Sequence, residues 1–153
     1  MANVVFDKHV IFCEAYIKEV NATAVTLFRE HATKKAVEHA NKLYTLRVEH
    51  GAWVTKEMSA DLETFEDALR KLGAKAGYVA DTSGSAGDAE QRKKAIEYVF
   101  KEFDRIMPHL ANVEAEEGVA IETVVARVRG MLGIEKLVDL RAQLISKAHK
   151  ALQ

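Results

Sequence analysis

The hydrophobic positions near the start of the chain repeat at helical spacing. They recur alternately every three and four residues and so fall along one stripe of an α-helix: Phe6, Val10, Cys13, Ile17, Val20, Ala24 and Leu27. After Leu27 the apolar spacing is interrupted, because the next two positions of the stripe are His31 and Lys34. A second apolar stripe, shifted around the helix, begins at Val37. The first helix is therefore long and contains either a stutter or a break near residues 29–36.

A second helix is predicted over residues 59–76, where Leu and Phe recur at helical spacing and Ser59 is placed to act as the N-cap. The stretch that follows, 77–88, is the only low-complexity segment of the chain. Its small and polar side chains cannot bury a face, so we expect a mobile surface loop there.

The third helix is predicted to start at Asp88, which forms a capping-box pattern with Gln91. Its stripe runs past Pro108 without losing phase, through Ile96, Val99, Phe103, Ile106, Leu110 and Val113. An unbroken stripe predicts a helix that is kinked at the proline rather than ended by it.

Two further helices are predicted near the end of the chain. The β-branched segment 119–128 fits helical spacing better than strand alternation, and Gly130 and Gly133 mark a corner after it. The last helix covers about 134–152 and is predicted to bury the following residues: Ile134, Leu137, Val138, Leu144, Ile145, Ala148 and Leu152.

Turn-forming residues are too rare for a β protein. The chain has eight glycines and one proline, and neither type occurs in the first 50 residues. We therefore predict an all-α fold: one domain over residues 1–153, built as an antiparallel bundle of four to five helices with the loop 77–88. A single helix over 4–48 would be about 68 Å long. A compact domain of this size has a radius of gyration of about 15 Å, so an unbroken first helix would need an elongated molecule or a second chain.

Composition and charge exclude several classes of protein. The 153 residues are 48% hydrophobic and 29% charged, with a formal net charge of −1. That is a globular composition without the positive field that binds nucleic acid or an anionic membrane surface. The single cysteine, Cys13, cannot form an internal disulfide, and no signal-peptide pattern is present. We expect a cytoplasmic protein with no nucleic-acid or membrane partner.

Candidate catalytic and metal-binding patterns are weak. The six histidines show no HxxxH, HxxxE or ExxH spacing, so helical metal-ligand patterns are absent. Two ExxE patterns, Glu63–Glu66 and Glu114–Glu117, occur without the ExxD that all-α pyrophosphatases carry. No motif resembles a known family. We therefore assign no catalytic, cofactor-binding or metal-binding residue. We make no prediction about enzymatic activity or about a cofactor.

The first helix also carries apolar residues on more than one side. The four consecutive residues 10–13 point in nearly every direction around it, so it needs several neighbours. We predict a non-catalytic helical interaction or self-assembly protein whose partner is protein, most simply in a twofold dimer. The predicted partner-binding residues are Ile11, Phe12, Trp53 and Met58. The alternative is a helical bundle that binds a small ligand or a metal through a buried carboxylate or histidine, with enzymatic activity left open.

Overall fold

Helices account for almost all of the computed structural model, which describes residues 2–84, 88–108 and 116–151. The described residues form α1 (Ala2–Glu30), α2 (Lys35–Glu49), α3 (Lys56–Asp81), α4 (Ala89–Ile106), α5 (Glu117–Met131) and α6 (Ile134–Ala151), with a 3₁₀ turn at Gly51–Trp53. The all-α prediction is confirmed. The predicted count of four to five helices is too low, because the first predicted helix is two separate helices.

The break between α1 and α2 lies inside the predicted interval 29–36. His31 turns the chain there with a φ of 59°, in the left-handed region that non-glycine residues seldom adopt. The turn folds α2 back along α1, and the imidazole of His39 on α2 then lies against two α1 side chains. Its Nδ1 is 2.7 Å from Glu19 Oε1 and its Nε2 is 3.0 Å from Thr26 Oγ1. The break removes the overhang that one continuous helix would have had.

The remaining helices pack as antiparallel neighbours. At the start of α2, Lys34 forms an ion pair with Asp81 at the end of α3, and at the other end of the pair Arg47 contacts Ser59. α4 lies along α3, and α5 lies along α1, where Arg29 pairs with Glu117. The interior is filled by large apolar side chains, among them Phe12, Tyr16, Leu27, Leu43, Leu62, Leu69, Leu72, Ile106, Met107 and Leu132.

α3 is longer at both ends than its apolar pattern predicts. Its N-cap is Thr55, whose hydroxyl accepts a hydrogen bond from the Met58 backbone N–H at 3.2 Å, so the assignment of Ser59 as the cap is wrong. The helix continues to Asp81, which makes the first part of the predicted loop 77–88 helical. Gly77 belongs to that helical part and packs against the aliphatic stem of Lys34. Residues 85–87 of the predicted loop lie outside the described residues.

α4 begins directly after Asp88, as predicted, but its N-terminal cap and its C-terminal end differ from the prediction. Asp88 has a φ of 67° and makes no side-chain cap hydrogen bond, so the predicted capping box does not form. The helix ends at Ile106, and Met107 already has non-helical backbone angles. A proline disfavours helical angles in the residue before it, and that requirement outweighs the continuous stripe. The predicted kink at Pro108 is therefore wrong, while the later stripe positions, Leu110 and Val113, lie outside the described residues.

The end of the chain forms the two predicted helices, but they differ in burial. The segment 119–128 is helical within α5, and Gly133 makes the corner with a φ of 62°. In α6, however, Val138, Leu144 and Ile145 are each more than half exposed, and Ala148 is exposed as well. Their predicted burial is wrong. Leu152 lies outside the described residues.

The contact between α2 and α3 depends on a glycine. A Cβ added at Gly73 would lie 2.7 Å from the Val37 backbone nitrogen and 2.8 Å from its Cγ2. We expect Gly73→Ala to lower the free energy of unfolding by about 1–3 kcal/mol, because the two backbones must separate. Urea unfolding followed by circular dichroism measures this. Gly130→Ala in α5 is the control, since nothing lies within 4 Å of its added Cβ and alanine favours the helix by up to about 1 kcal/mol. Equal stability of both variants would contradict the close approach.

Candidate interaction surface

α6 exposes a broad apolar side. At 100° per residue its larger aliphatic positions, from Ile134 to Ile145, fall within an arc of about 160°. Every residue from 138 to 150 is exposed, and α6 packs mainly on α5 near the connecting corner. The large aliphatic residues that remain more than half exposed are Val138, Leu140, Leu144 and Ile145, which we call the α6 face. Exposed aliphatic side chains gathered on one helix side are typical of a protein-binding surface.

The start of α6 and the first half of α1 enclose a groove of about 320 Å³, the α1–α6 groove. Its walls are mainly apolar. They are formed by Phe6, Val10, Cys13 and Ile17 on α1, and by Ile134, Leu137 and Val138 on α6, with Glu14, Arg129 and Arg141 at the rim. Val138 belongs to both the groove and the α6 face, so the two surfaces are continuous.

The charges at the rim of the groove are only partly paired. Arg129 donates a hydrogen bond to Glu135 at 3.0 Å. Glu14 on α1 and Arg141 on α6 form no ion pair within the described ranges. Arg141 lies in the middle of the apolar arc of α6, between Val138 and Leu144. The surface therefore presents one carboxylate and one guanidinium to whatever covers it.

Cys13 contributes an apolar wall rather than a nucleophile. Its side chain is buried where it meets the groove. Burial, together with the negative charge of Glu14, raises the pKa of the thiol to about 11. The thiol is consequently neutral at physiological pH, and a neutral thiol is a poor nucleophile and metal ligand.

The predicted partner-binding residues lie in three different settings. Phe12 is 0% exposed and packs against the rings of Tyr16 and His50, so it belongs to the core and offers no surface to a partner. Ile11 is 49% exposed but does not line the α1–α6 groove. Trp53 and Met58 lie together at the end of the bundle.

Trp53 and Met58 line a second groove, of about 630 Å³, which Leu137 of α6 also lines. The Trp53 carbonyl is held there by the imidazole of His9, whose Nδ1 lies 2.8 Å from it. Both side chains are partly buried, and Met58 packs against the core. The structure thus places these two residues next to the start of α6, in a groove that shares Phe6 and Leu137 with the α1–α6 groove.

A buried polar cluster occupies the centre of the bundle. Arg47 donates through Nε and Nη2 to the carboxylate of Glu66 at 2.9–3.1 Å, and through Nη1 to the Ser59 hydroxyl at 2.9 Å. The Tyr16 hydroxyl donates to Glu66 Oε1 at 2.9 Å. Burial and the negative charge of Glu66 raise the pKa of Tyr16 far above its usual value, so its hydroxyl stays a donor.

The side chains of this cluster form their hydrogen bonds with one another, so none of them is left to bind a ligand. It also separates the two carboxylates of the ExxE pattern, since Glu66 is buried in the core while Glu63 is exposed. Among the residues that the structure describes, no three His, Cys, Asp or Glu side chains are grouped to hold a metal ion. In the same ranges, none of the helices combines the length and the apolar character needed to cross a membrane.

The chain matches no protein-family model, no curated protein and no solved structure. The case for a function therefore rests on the chain's own geometry. In the sequence, the broad apolar arc of α6 was visible, but the prediction assigned it to the core. Nothing in the pattern indicated that the residues of the α6 face lack a covering helix.

Proposed function

We propose that this chain is a non-catalytic helical interaction protein that recognises another protein chain through the α6 face. One observation carries the proposal: four large aliphatic side chains lie together on one helix side, with Leu144 64% exposed. Burying one such side chain contributes about 1.5–3 kcal/mol, so a complementary apolar surface would gain most of its affinity there. The continuous α1–α6 groove adds apolar wall beside it.

The alternative, a bundle that binds a small ligand or a metal, has weaker support. The buried carboxylate and guanidinium of Glu66 and Arg47 satisfy each other, and the Cys13 thiol is neutral. A polar ligand needs converging groups that are free to bind it. We also propose a cytoplasmic location, because a lone, unpaired thiol suits a reducing compartment.

Leu144→Glu tests the proposal. A carboxylate in the middle of the α6 face cannot be buried against an apolar partner, so we expect the chain to leave whatever complex it forms. The measurement is the native mass of the tagged chain in extract of its source cells, by gel filtration with light scattering. Wild type is expected in a particle larger than one chain, and the variant at the mass of one chain.

Gln143→Glu is the matched control. It adds the same charge at the neighbouring position, but on the opposite side of α6, and it should leave the particle unchanged. Both variants should show the same helical content by circular dichroism, since both positions are exposed. A wild-type chain that migrates as a monomer in the extract contradicts the proposal. So does a Leu144→Glu chain that stays in the wild-type particle.

A further inference from the structure

We infer that the partner on the α6 face is a second copy of this chain. The two α6 helices would pack antiparallel about a twofold axis, and Arg141 of each copy would pair with Glu14 of the other. The inference rests on the proposed function and deepens it, because it names both the partner and the ion pair that sets the register.

Within residues 2–84, 88–108 and 116–151, too little apolar surface lies opposite α6 to cover it. The α1 wall of the groove runs through Val10 and Ile17. One turn further along α1, Val20 is already buried in the core and Asn21 is polar and exposed. The apolar row of α6 continues past the groove to Leu144 and Ile145. Two apolar turns of α6 are therefore left uncovered by the part of the chain that the structure describes, and a second α6 offers matching aliphatic side chains.

The area also fits a pair of copies. Each of the four side chains of the α6 face exposes on the order of 100 Å² of apolar surface. A twofold contact uses the face twice, which gives about 800 Å² before the groove walls are counted. Specific, stable interfaces begin at about 1,200 Å², so the face together with the groove walls of both copies falls in the range of weak, transient complexes. We therefore expect a reversible dimer rather than a permanent one.

Charge complementarity selects the antiparallel arrangement. Arg141 lies within the apolar arc, and covering it with aliphatic side chains alone would leave its guanidinium buried and unpaired. Glu14 lies on the opposite wall of the same groove, also without an ion pair among the described residues. Arg141 is close to the middle of α6, so a twofold axis through the middle of the helix brings the Arg141 side chains of the two copies close together, with the Glu14 carboxylate of each groove beside them. Each copy then supplies the charge that the other lacks.

Complementary charge reversals test the ion pair. In sedimentation equilibrium of the full chain, Glu14→Arg and Arg141→Glu should each weaken self-association more than tenfold, since each places like charges across the interface. An equimolar mixture of the two variants should associate about as tightly as wild type. In that mixed pair both contacts again join an arginine to a glutamate. Asp139→Arg, on the outer side of α6, is the control and should leave the dimer unchanged.

The mixture separates pairing between copies from pairing within one chain. If Glu14 and Arg141 pair within a chain, only the double variant recovers and the mixture does not, which overturns the inference. A wild-type chain that stays monomeric at concentrations up to about 100 μM also overturns the inference. The proposed function survives that result if the extract particle that Leu144→Glu abolishes contains a different protein, for example one with an acidic amphipathic helix. It fails if no such particle exists.

Discussion

Arg47→Met is expected to lower the free energy of unfolding by about 3–5 kcal/mol, the cost of removing one partner from a buried ion pair. The Glu66 carboxylate is 1% exposed and receives three hydrogen bonds from Arg47 within 3.1 Å. In the variant only the Tyr16 hydroxyl still donates to it. Urea unfolding at neutral pH, followed by circular dichroism, measures the loss.

The double variant Arg47→Met with Glu66→Met is the control that isolates the unpaired charge. Replacing both partners with apolar side chains of similar volume should recover most of the loss. About 1 kcal/mol should remain, because Tyr16 loses its acceptor. A single variant that loses less than about 1 kcal/mol would mean that water reaches Glu66 and that the cluster is not buried.

The sequence predicted the features that depend on near neighbours along the chain. Helical spacing and the scarcity of glycine and proline indicate an all-α fold, and the phase change after Leu27 locates the break that His31 makes. Helix ends were less certain, because several residues within one turn were plausible caps. Thr55 caps α3, whereas the Ser59 hydroxyl accepts a hydrogen bond from Arg47 of α2. No local sequence pattern indicates that contact.

Features that join distant parts of the chain were not predictable. Tyr16 lies 50 positions from Glu66, and Arg47 lies 19 positions from it, so no motif connects them. The prediction that the residues of the α6 face are buried is wrong for a different reason. Periodicity shows which residues share one side of a helix, but it does not show what lies opposite that side. Val138 and Leu144 have the same pattern whether a helix of the same chain or another protein covers them.

The contrast between Phe12 and its neighbour Ile11 gives the second large effect. Both were predicted to bind a partner, yet Phe12 is 0% exposed and Ile11 is 49% exposed. Phe12→Ala is expected to lower the free energy of unfolding by about 3–5 kcal/mol, since it removes a ring packed between those of Tyr16 and His50. Ile11→Ala should cost no more than about 1 kcal/mol.

The same pair of variants separates a core role from a binding role. At a urea concentration low enough for both chains to stay folded, Phe12→Ala should retain the self-association of wild type, because its side chain lies beneath the surface and not in the contact. Ile11→Ala should retain it as well, since Ile11 lies outside the α1–α6 groove. A folded Ile11→Ala chain that dissociates at least tenfold more readily would place the interface on the outer side of α1 instead of on α6. A Phe12→Ala chain as stable as wild type would mean that Phe12 is not packed in the core.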